Sequence, residues 1–430
     1  MGNSDSVMVQ KRMARFRPEE RTTIDGVFDR LLGGSRAEKT LQLETLQTSM
    51  GDLASDTMVK RIYRCMCSID PGQAAPSASA KEGTAGVDRE QLIVFLADTL
   101  RGTAEERAPL VLVMSHNAEG VPDVVTCEQV AAFLEDLISA IVQILTKRGR
   151  LQGWKPEQMG DTQLGIKLLA EQMCSELKAS DQGTCDVSCL EDWIFRVSQV
   201  SLYLEILVAE GLNVSLGSWT APTLLPLCKE THWKDLKCLL DIPTLMFLAP
   251  QLPDSYSTPW RLVFSTHLHG ESFTKMVSGL THHGPTVLLI KDTKGHVFGG
   301  FASQAWEMKP QFQGWSPLNR NTFCCPTAEG IQMKTYRNQG RQNFLNFKNK
   351  RLRHCLYSLR SYKSRHGLWL HGFHGDIELE DSVYYNLMYG KVKAVSDNLL
   401  SLEEMLPRGK WKTLFLISVF FFFTNPLLLP

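Results

Sequence analysis

Two apolar runs joined by a short polar turn constrain this chain more than any other feature. Thr286 to Lys291 is apolar and β-branched, Asp292 to Gly295 is turn-like, and Val297 to Ala302 returns. Such a pattern specifies paired antiparallel strands. Gly299 and Gly300 inside the return strand predict a bulge or a close backbone approach. Upstream lie the apolar run Leu262-Val263-Phe264 and a polar segment carrying His269-Gly270 and Ser272-Phe273.

The N-terminal half has a different period. Ile24, Val27, Phe28, Leu31 and Leu32 recur at helical spacing up to Gly33-Gly34. Met58, Val59, Ile62, Tyr63 and Met66 mark a second helix, with Ser55 or Asp56 as its cap. Residues 68–86 are rich in Pro, Gly, Ser and Ala and read as a flexible insertion. A helix-entry pattern then occurs three times: Val87-Asp88 leading to Phe95, Val125-Thr126 leading to Phe133, and Val187-Ser188 leading to Trp193. That is how an EF-hand loop enters its second helix. The loops lack calcium chemistry. In the third, the ligand positions fall on Ser180, Gln182, Thr184, Cys185 and Glu191, and in the first two position twelve is Gln91 or Gln129. A loop short of carboxylates does not compensate calcium's dehydration, so the expectation is an EF-hand-like scaffold without the ion. Leu202, Leu204, Ile206, Leu207 and Val208 nearly surround a further helix, predicting burial.

A length of 430 residues implies two or three domains. The 46 basic and 46 acidic side chains cancel, so net charge names no partner. Eleven cysteines without a secretory signal point to a reducing, cytosol-facing location and to mostly buried thiols. Cys65-x-Cys67, Cys185-x3-Cys189 and Cys324-Cys325 do not form matched zinc half-sites.

The start, MGNSDS, fits N-myristoylation at Gly2, with Ser6 completing the pattern. One myristoyl chain binds membranes only marginally. Lys11, Arg12, Arg15, Arg17 and Arg21 are the expected second signal, through anionic headgroups.

Trp260-Arg261-Leu262, Phe264-Ser265, His269-Gly270-x-Ser272-Phe273, Gly284-Pro285 and Val297 to Ala302, in that order, resemble the opening half of a TLDc domain. The resemblance implies a two-layer β-sandwich with flanking helices. It also implies links to oxidative-stress protection and to the vacuolar proton pump, with no agreed catalytic set. Together with the N-terminus, residues 1–314 resemble a TLDc family with an N-myristoylated start, a helical N-terminal half and association with mTOR at the lysosome. The family-motif residues are Trp260, His269, Gly270, Ser272, Phe273, Gly299, Gly300, Phe301 and, later, Trp369 in Gly367-Leu368-Trp369. After Gly314 the pattern fades and no terminal strand is evident, which would leave a ladder edge unpaired and suggests a divergent or alternative C-terminus.

The expected class is thus α+β: a helical EF-hand-like N-terminal half followed by a partial TLDc-type two-layer sandwich. The expected segments are a basic N-terminal stretch (1–20), a helical region (21–212), connecting helices (213–259), the TLDc domain (260–375) and an atypical tail (376–430). That tail ends in the uncharged apolar run Leu414 to Phe423, about half of a membrane span, and reads as an anchor or an adventitious hydrophobic end. Residues 331–375 hold ten Lys/Arg, no acid and interleaved aromatics, a composition suited to RNA or another polyanion or to a solvated charged face.

No Walker loop, kinase signature, dinucleotide fingerprint, nucleophile elbow or H-E-x-x-H occurs. His267, His269, His282, His283 and His296 cluster near the hairpin, with Cys324 and Cys325 downstream, and frame a competing enzymatic or antioxidant reading. No carboxylate is placed to orient either His267 or His269, so no catalytic residue, cofactor or metal is expected. The expected function is a non-enzymatic adaptor on the cytoplasmic face of the lysosomal membrane and in the cytoplasm. By resemblance it recruits mTOR and promotes its growth signalling, with the proton pump as a second partner.

Overall fold

The computed structural model describes residues 2–33, 39–72, 86–116, 120–180, 183–217, 220–252, 256–281, 283, 285–291, 297–302, 322–324, 334–338, 342–346 and 416–422. The chain divides into two compact units: Met1–Leu151 with Ile166–Thr223, and Gln152–Gly165 with Leu224–Pro430.

The first unit is helical. Its elements are α1 (Gly2–Met13), α2 (Pro18–Leu31), α3 (Leu43–Met50), α4 (Asp56–Cys67), α5 (Arg89–Arg101) and α6 (Ala104–Ser115). They continue with β1 (Val125–Thr126), α7 (Cys127–Lys147), α8 (Thr162–Cys174, shared with the second unit), β2 (Thr184–Cys185), α9 (Val187–Arg196) and α10 (Ser198–Gly211). Side chains set the helix starts by accepting hydrogen bonds from first-turn amides. Ser55 accepts from the Met58 N–H, Asp88 from Gln91 and Thr126 from Gln129. Gln91 and Gln129 reach back to close capping boxes.

Short backbone bridges tie these starts in twos. Leu41 and Val87 exchange both N–H···O bonds, at 2.7 and 2.9 Å, next to the starts of α3 and α5. Val125 pairs with Cys185 and Thr126 with Thr184, beside α7 and α9. A fourth helix entry, at Gln42, thus joins the three read from the sequence. The third entry sits two residues earlier than expected. Asp186, not Ser188, is the cap, accepting from the Cys189 N–H at 2.8 Å. A carboxylate cap preceded by the strand-paired Cys185 prevails over a hydroxyl preceded by Val187. The loop position that Glu191 was expected to fill therefore belongs to Cys189.

The core contains Phe95, Phe133, Trp193 and Tyr203, all essentially buried. α10 is apolar nearly all round, as predicted, burying Val200, Leu204, Ile206, Leu207 and Val208. α7 is long and apolar enough to cross a membrane, but it buries nine residues in this unit and is one of its core helices. The most consequential polar contact holds α1 to α5. Arg12 meets Asp98 at 3.0 Å, with 4% of each side chain exposed. Arg15 bonds to Asp98 and to Glu106.

The second unit contains Gln152–Gly165, α11 (Ile242–Leu248) and β3 (Trp260–Ser265), then α12 (Thr266–His269) and α13 (Phe273–Leu280). The strands β4 (Thr286–Lys291), β5 (Val297–Ala302), β6 (Thr322–Cys324), β7 (Lys334–Asn338), β8 (Gln342–Asn346) and β9 (Leu416–Phe422) follow. The predicted hairpin is present as β4–β5, with Thr286 opposite Ala302 and Lys291 opposite Val297. Its register runs unbroken through Gly299 and Gly300, so of the bulge or close backbone approach expected there, the bulge is absent. Gly299 and Gly300 are paired on both sides, with β4 and with β6, which leaves no slack for an extra residue. The irregularity falls instead between Leu262 and Phe264 of β3.

The expectation that no terminal strand follows is also corrected. The sheet order is β3-β9-β4-β5-β6. β9, drawn from the apolar C-terminal run, pairs antiparallel with β3 (Trp260 opposite Phe422) and with β4 (Thr286 opposite Phe421). A strand flanked on both sides reads as a continuous apolar run rather than an alternating one, so its sequence is equally that of a hydrophobic tail. β7 and β8 form a separate two-stranded sheet.

Two outcomes are expected. Asp98→Ala removes the buried carboxylate that Arg12 and Arg15 share and lowers unfolding free energy by about 3–5 kcal/mol, read from the urea midpoint. Val419→Pro removes an amide donor from an interior strand. Hydrogen exchange should then show lost protection in both Trp260–Ser265 and Thr286–Lys291, while protection in α7 and α10 is unchanged.

Candidate functional site

Gly2 is the first residue of α1. Of the five cations expected to contact lipid, Arg12 is 3% exposed and ion-paired, and Arg15 is bound to Asp98 and Glu106. Lys11, Arg17 and Arg21 are exposed, although Arg21 also donates to Phe16 O at 3.0 Å. At about 1 kcal/mol per cation near an anionic surface, the basic contribution falls from roughly five to roughly three such increments. The correction has a physical cause: sequence spacing counts charges, and burial beside carboxylates decides which face solvent.

Trp260, the first family-motif residue, is fully buried at the start of β3. Its indole meets Trp154 edge-on at 5.9 Å, and Trp154 meets Trp233 at 5.8 Å. Trp154 is held by its Nε1–H donating to Pro226 O at 2.8 Å. Around it the Cys228 N–H bonds Gln152 O (2.8 Å), the Trp260 N–H bonds Leu227 O (2.6 Å) and the Lys229 N–H bonds Trp260 O (2.8 Å). Gly153, at φ +85°, allows this approach: a Cβ there would lie 2.4 Å from Cys228 O. Residues 227–229 thereby cover the outer edge of β3 at its start, where an exposed ladder would invite mispairing. The sequence hint was Trp154 between Gly153 and Pro156. Its partner lay about a hundred residues away, and nothing local named it.

His269 completes the edge at the other end of β3. Its ring stacks on Phe264 at 5.4 Å, and its Nδ1 accepts from the Ser265 N–H at 3.0 Å. Ser265 in turn caps α12, its Oγ accepting from the His267 N–H at 3.3 Å. Gly270 follows at φ +76°, ψ 172°, a region essentially restricted to glycine. Ser272 accepts from the Lys275 N–H at 3.3 Å at the start of α13. Phe273 opens that helix; its side chain and that of Phe301 in β5 lie outside the described residues, and Gly299 and Gly300 are placed by their backbone pairing in β5. Trp369, His282, His296, Cys325 and most of residues 331–375 also lie outside the described residues.

These partners make His269 and Trp260 structural. Burial pushes the nearby Cys228 and Cys238 thiols up to about 11 and about 12, which disfavours nucleophilic thiolates. Among the described residues, no group of three or more His, Cys, Asp or Glu is disposed to hold a metal ion. The arrangement stabilises a sheet edge and presents a surface. Gly270→Ala, which forces a Cβ into the glycine-only region, should cost on the order of 1–3 kcal/mol, measured as a fall in Tm. Asn at the same position should cost a similar amount, since ψ 172° lies outside the αL basin that Asn tolerates.

The TLDc domain family profile matches residues 234–372, past Gly314, where the motif pattern fades. MTOR-associated protein MEAK7 of Danio rerio is 51% identical over 360 residues, which is 80% of this chain and 78% of that protein. The Homo sapiens protein of the same name is 33% identical over 328 residues, 73% of this chain and 70% of its own length. Oxidation resistance protein 1 of Rattus norvegicus is 34% identical over only 122 residues, 28% of this chain and 14% of that protein. With the Trp260 and His269 motifs in place and a relative at half identity spanning most of both lengths, this chain belongs to the TLDc-domain family and groups with the mTOR-associated MEAK7 proteins.

Proposed function

We propose that this chain is a non-enzymatic, membrane-associated adaptor that recruits mTOR at the lysosome and promotes its growth signalling. The observation that carries this is the 360-residue match to an mTOR-associated protein. A match of that length is not confined to the TLDc segment, so it takes in the helical unit as well. The side chains of the family motif support a recognition role, because His269 and Trp260 are committed to the fold.

Myristate on Gly2 supplies the first membrane signal, and Lys11, Arg17 and Arg21 the second. The helical unit serves as an EF-hand-like scaffold. Its paired bridges, Leu41 with Val87 and Val125 with Cys185, match the way two such loops join back to back. Cys189, Gln91 and Gln129 stand at the first helical turns where calcium coordination needs a bidentate carboxylate. The TLDc unit, read as a two-layer sandwich, provides the partner surface for the kinase complex or for the vacuolar proton pump. A second reading, oxidative-stress protection, is supported by the shorter match to oxidation resistance protein 1.

Fractionation of wild type against Gly2→Ala, with mTOR co-precipitation from detergent extracts, tests the adaptor reading. Gly2→Ala should leave the lysosomal fraction largely for the cytosol while still co-precipitating mTOR from detergent. Full retention on lysosomes sinks myristate targeting. Absence of mTOR from both precipitates sinks the adaptor role.

A further inference from the structure

Burial along α1 falls into two faces. Arg12 is 3% exposed, and Met8, Val9 and Met13 are half-buried. On that side Arg12 meets Asp98, Arg15 meets Asp98 and Glu106, and the buried Phe16 fixes the end of the segment. The other side is open. Val7 is 59% exposed, and Lys11 and Ala14 are exposed with it. Spacings of four and three residues put these on one helical stripe. The Ala14 N–H bonds Gln10 O at 2.9 Å, so the helical turn carries through to Ala14. Arg21 donates to Phe16 O at 3.0 Å and to Ala14 O at 3.4 Å, which holds its guanidinium at the end of the same stripe. Arg17 is exposed nearby. The exposed residues from 7 to 21 therefore include the cations Lys11, Arg17 and Arg21 against a single acid, Glu19.

We infer that this stripe is a membrane-contact surface, and that α1 lies flat on an anionic bilayer while still clamped to α5. Val7 enters the boundary of the acyl chains, and Lys11, Arg17 and Arg21 meet the headgroup phosphates. The inference rests on the myristoyl-anchored reading above and adds to it an apolar contact and an orientation. A helix at a bilayer surface sinks its apolar residues to the headgroup–acyl boundary and keeps its cations beside them. The long Lys and Arg stems let the charged ends stay with phosphate while the apolar side chain goes deeper. Charge selects this occupant: three cations around one exposed valine fit a negatively charged surface with an apolar interior.

The clamp decides how the helical unit faces the bilayer. Arg12 lies about 140° round the helix from Val7 and is already paired. Moving Arg12 and Arg15 to lipid would strip Asp98, whose side chain is 4% exposed, of both its cations. A carboxylate abandoned in a buried site costs more than two headgroup contacts return. α1 therefore keeps its place on α5, and lipid, stripe and helical unit stand in a fixed order. An acyl chain on Gly2 alone would leave the unit free to turn about its tether.

Vesicle sedimentation of the full N-myristoylated chain tests the stripe, with phosphatidylcholine vesicles alone and with an equimolar mixture of phosphatidylcholine and phosphatidylserine. Intact mass confirms the acyl group on each variant, and far-UV circular dichroism its fold. Val7→Ala and Lys11→Ala should each weaken partitioning to the mixed vesicles roughly fivefold, and Val7→Phe should strengthen it. On phosphatidylcholine alone the Lys11→Ala effect should vanish while the Val7 effects remain. Val124→Ala, at another valine of the same unit that is 45% exposed, should match wild type, as should Arg15→Gln in the clamp. Partitioning unchanged by both Val7 variants overturns the stripe as a lipid surface, and so does an equal loss in Val124→Ala. A fivefold loss in Arg15→Gln overturns the clamped orientation, because it places Arg15 on lipid. Gly2→Ala separates these outcomes from the reading beneath them. Wild type that needs Gly2 but ignores Val7 defeats the stripe alone, whereas a Gly2→Ala chain that binds as well as wild type defeats myristate anchoring.

Discussion

The second unit depends on the insertion of β9 between β3 and β4. Among the described residues β3 has no other ladder linking it to the β4–β5–β6 strands, so this pairing joins the five strands into one sheet. Each residue of β9 from Ser418 to Phe421 is matched on both sides. The family-motif residues Trp260 and His269 then fall into place along β3, at one edge of this sheet. Trp260 starts β3 under cover of residues 227–229, and His269 satisfies the Ser265 amide at the far end of the strand. A motif that looks like a site in sequence is, in three dimensions, the protection of an edge.

The helical unit is organised by a different device, short backbone bridges between neighbouring helix entries. Each bridge aligns two N-terminal turns, and the caps at Asp88, Thr126 and Asp186 satisfy amides that would otherwise remain unpaired. The same alignment sets the Cys127 N–H against Gly183 O and Cys185 opposite Val125. The buried Arg12–Asp98 contact ties α1 to this unit, which makes the N-terminal segment part of the fold and limits how much of its charge a membrane surface can use.

Local features were legible where the chemistry is local. The α2 and α4 faces, the Ser55 cap, the Asp88 and Thr126 helix entries, the buried all-round α10 and the β4–β5 hairpin are each encoded within a dozen residues or so, by period and by capping type. The failures are as instructive. Ser188 and Asp186 are both capping residues two apart, and only the pairing of Cys185 with Val125 chooses between them. Gly299-Gly300 allowed either a bulge or a close backbone approach, and the unbroken pairing of β5 with strands on both sides removes the bulge.

By itself the sequence determined the α+β composition, a helical half followed by a strand-bearing half, and the family, because periodicity, caps and an ordered set of motifs are properties of contiguous residues. Only the tertiary structure decided which residues meet across the chain. It placed an apolar C-terminal run in the interior of a sheet, drew Trp154 from residues 152–165 against Trp260, and buried Arg12 beside Asp98. The physical reason is common to all three. An apolar run, a tryptophan or an arginine has the same sequence signature exposed or buried, and desolvation together with long-range pairing assigns it one role.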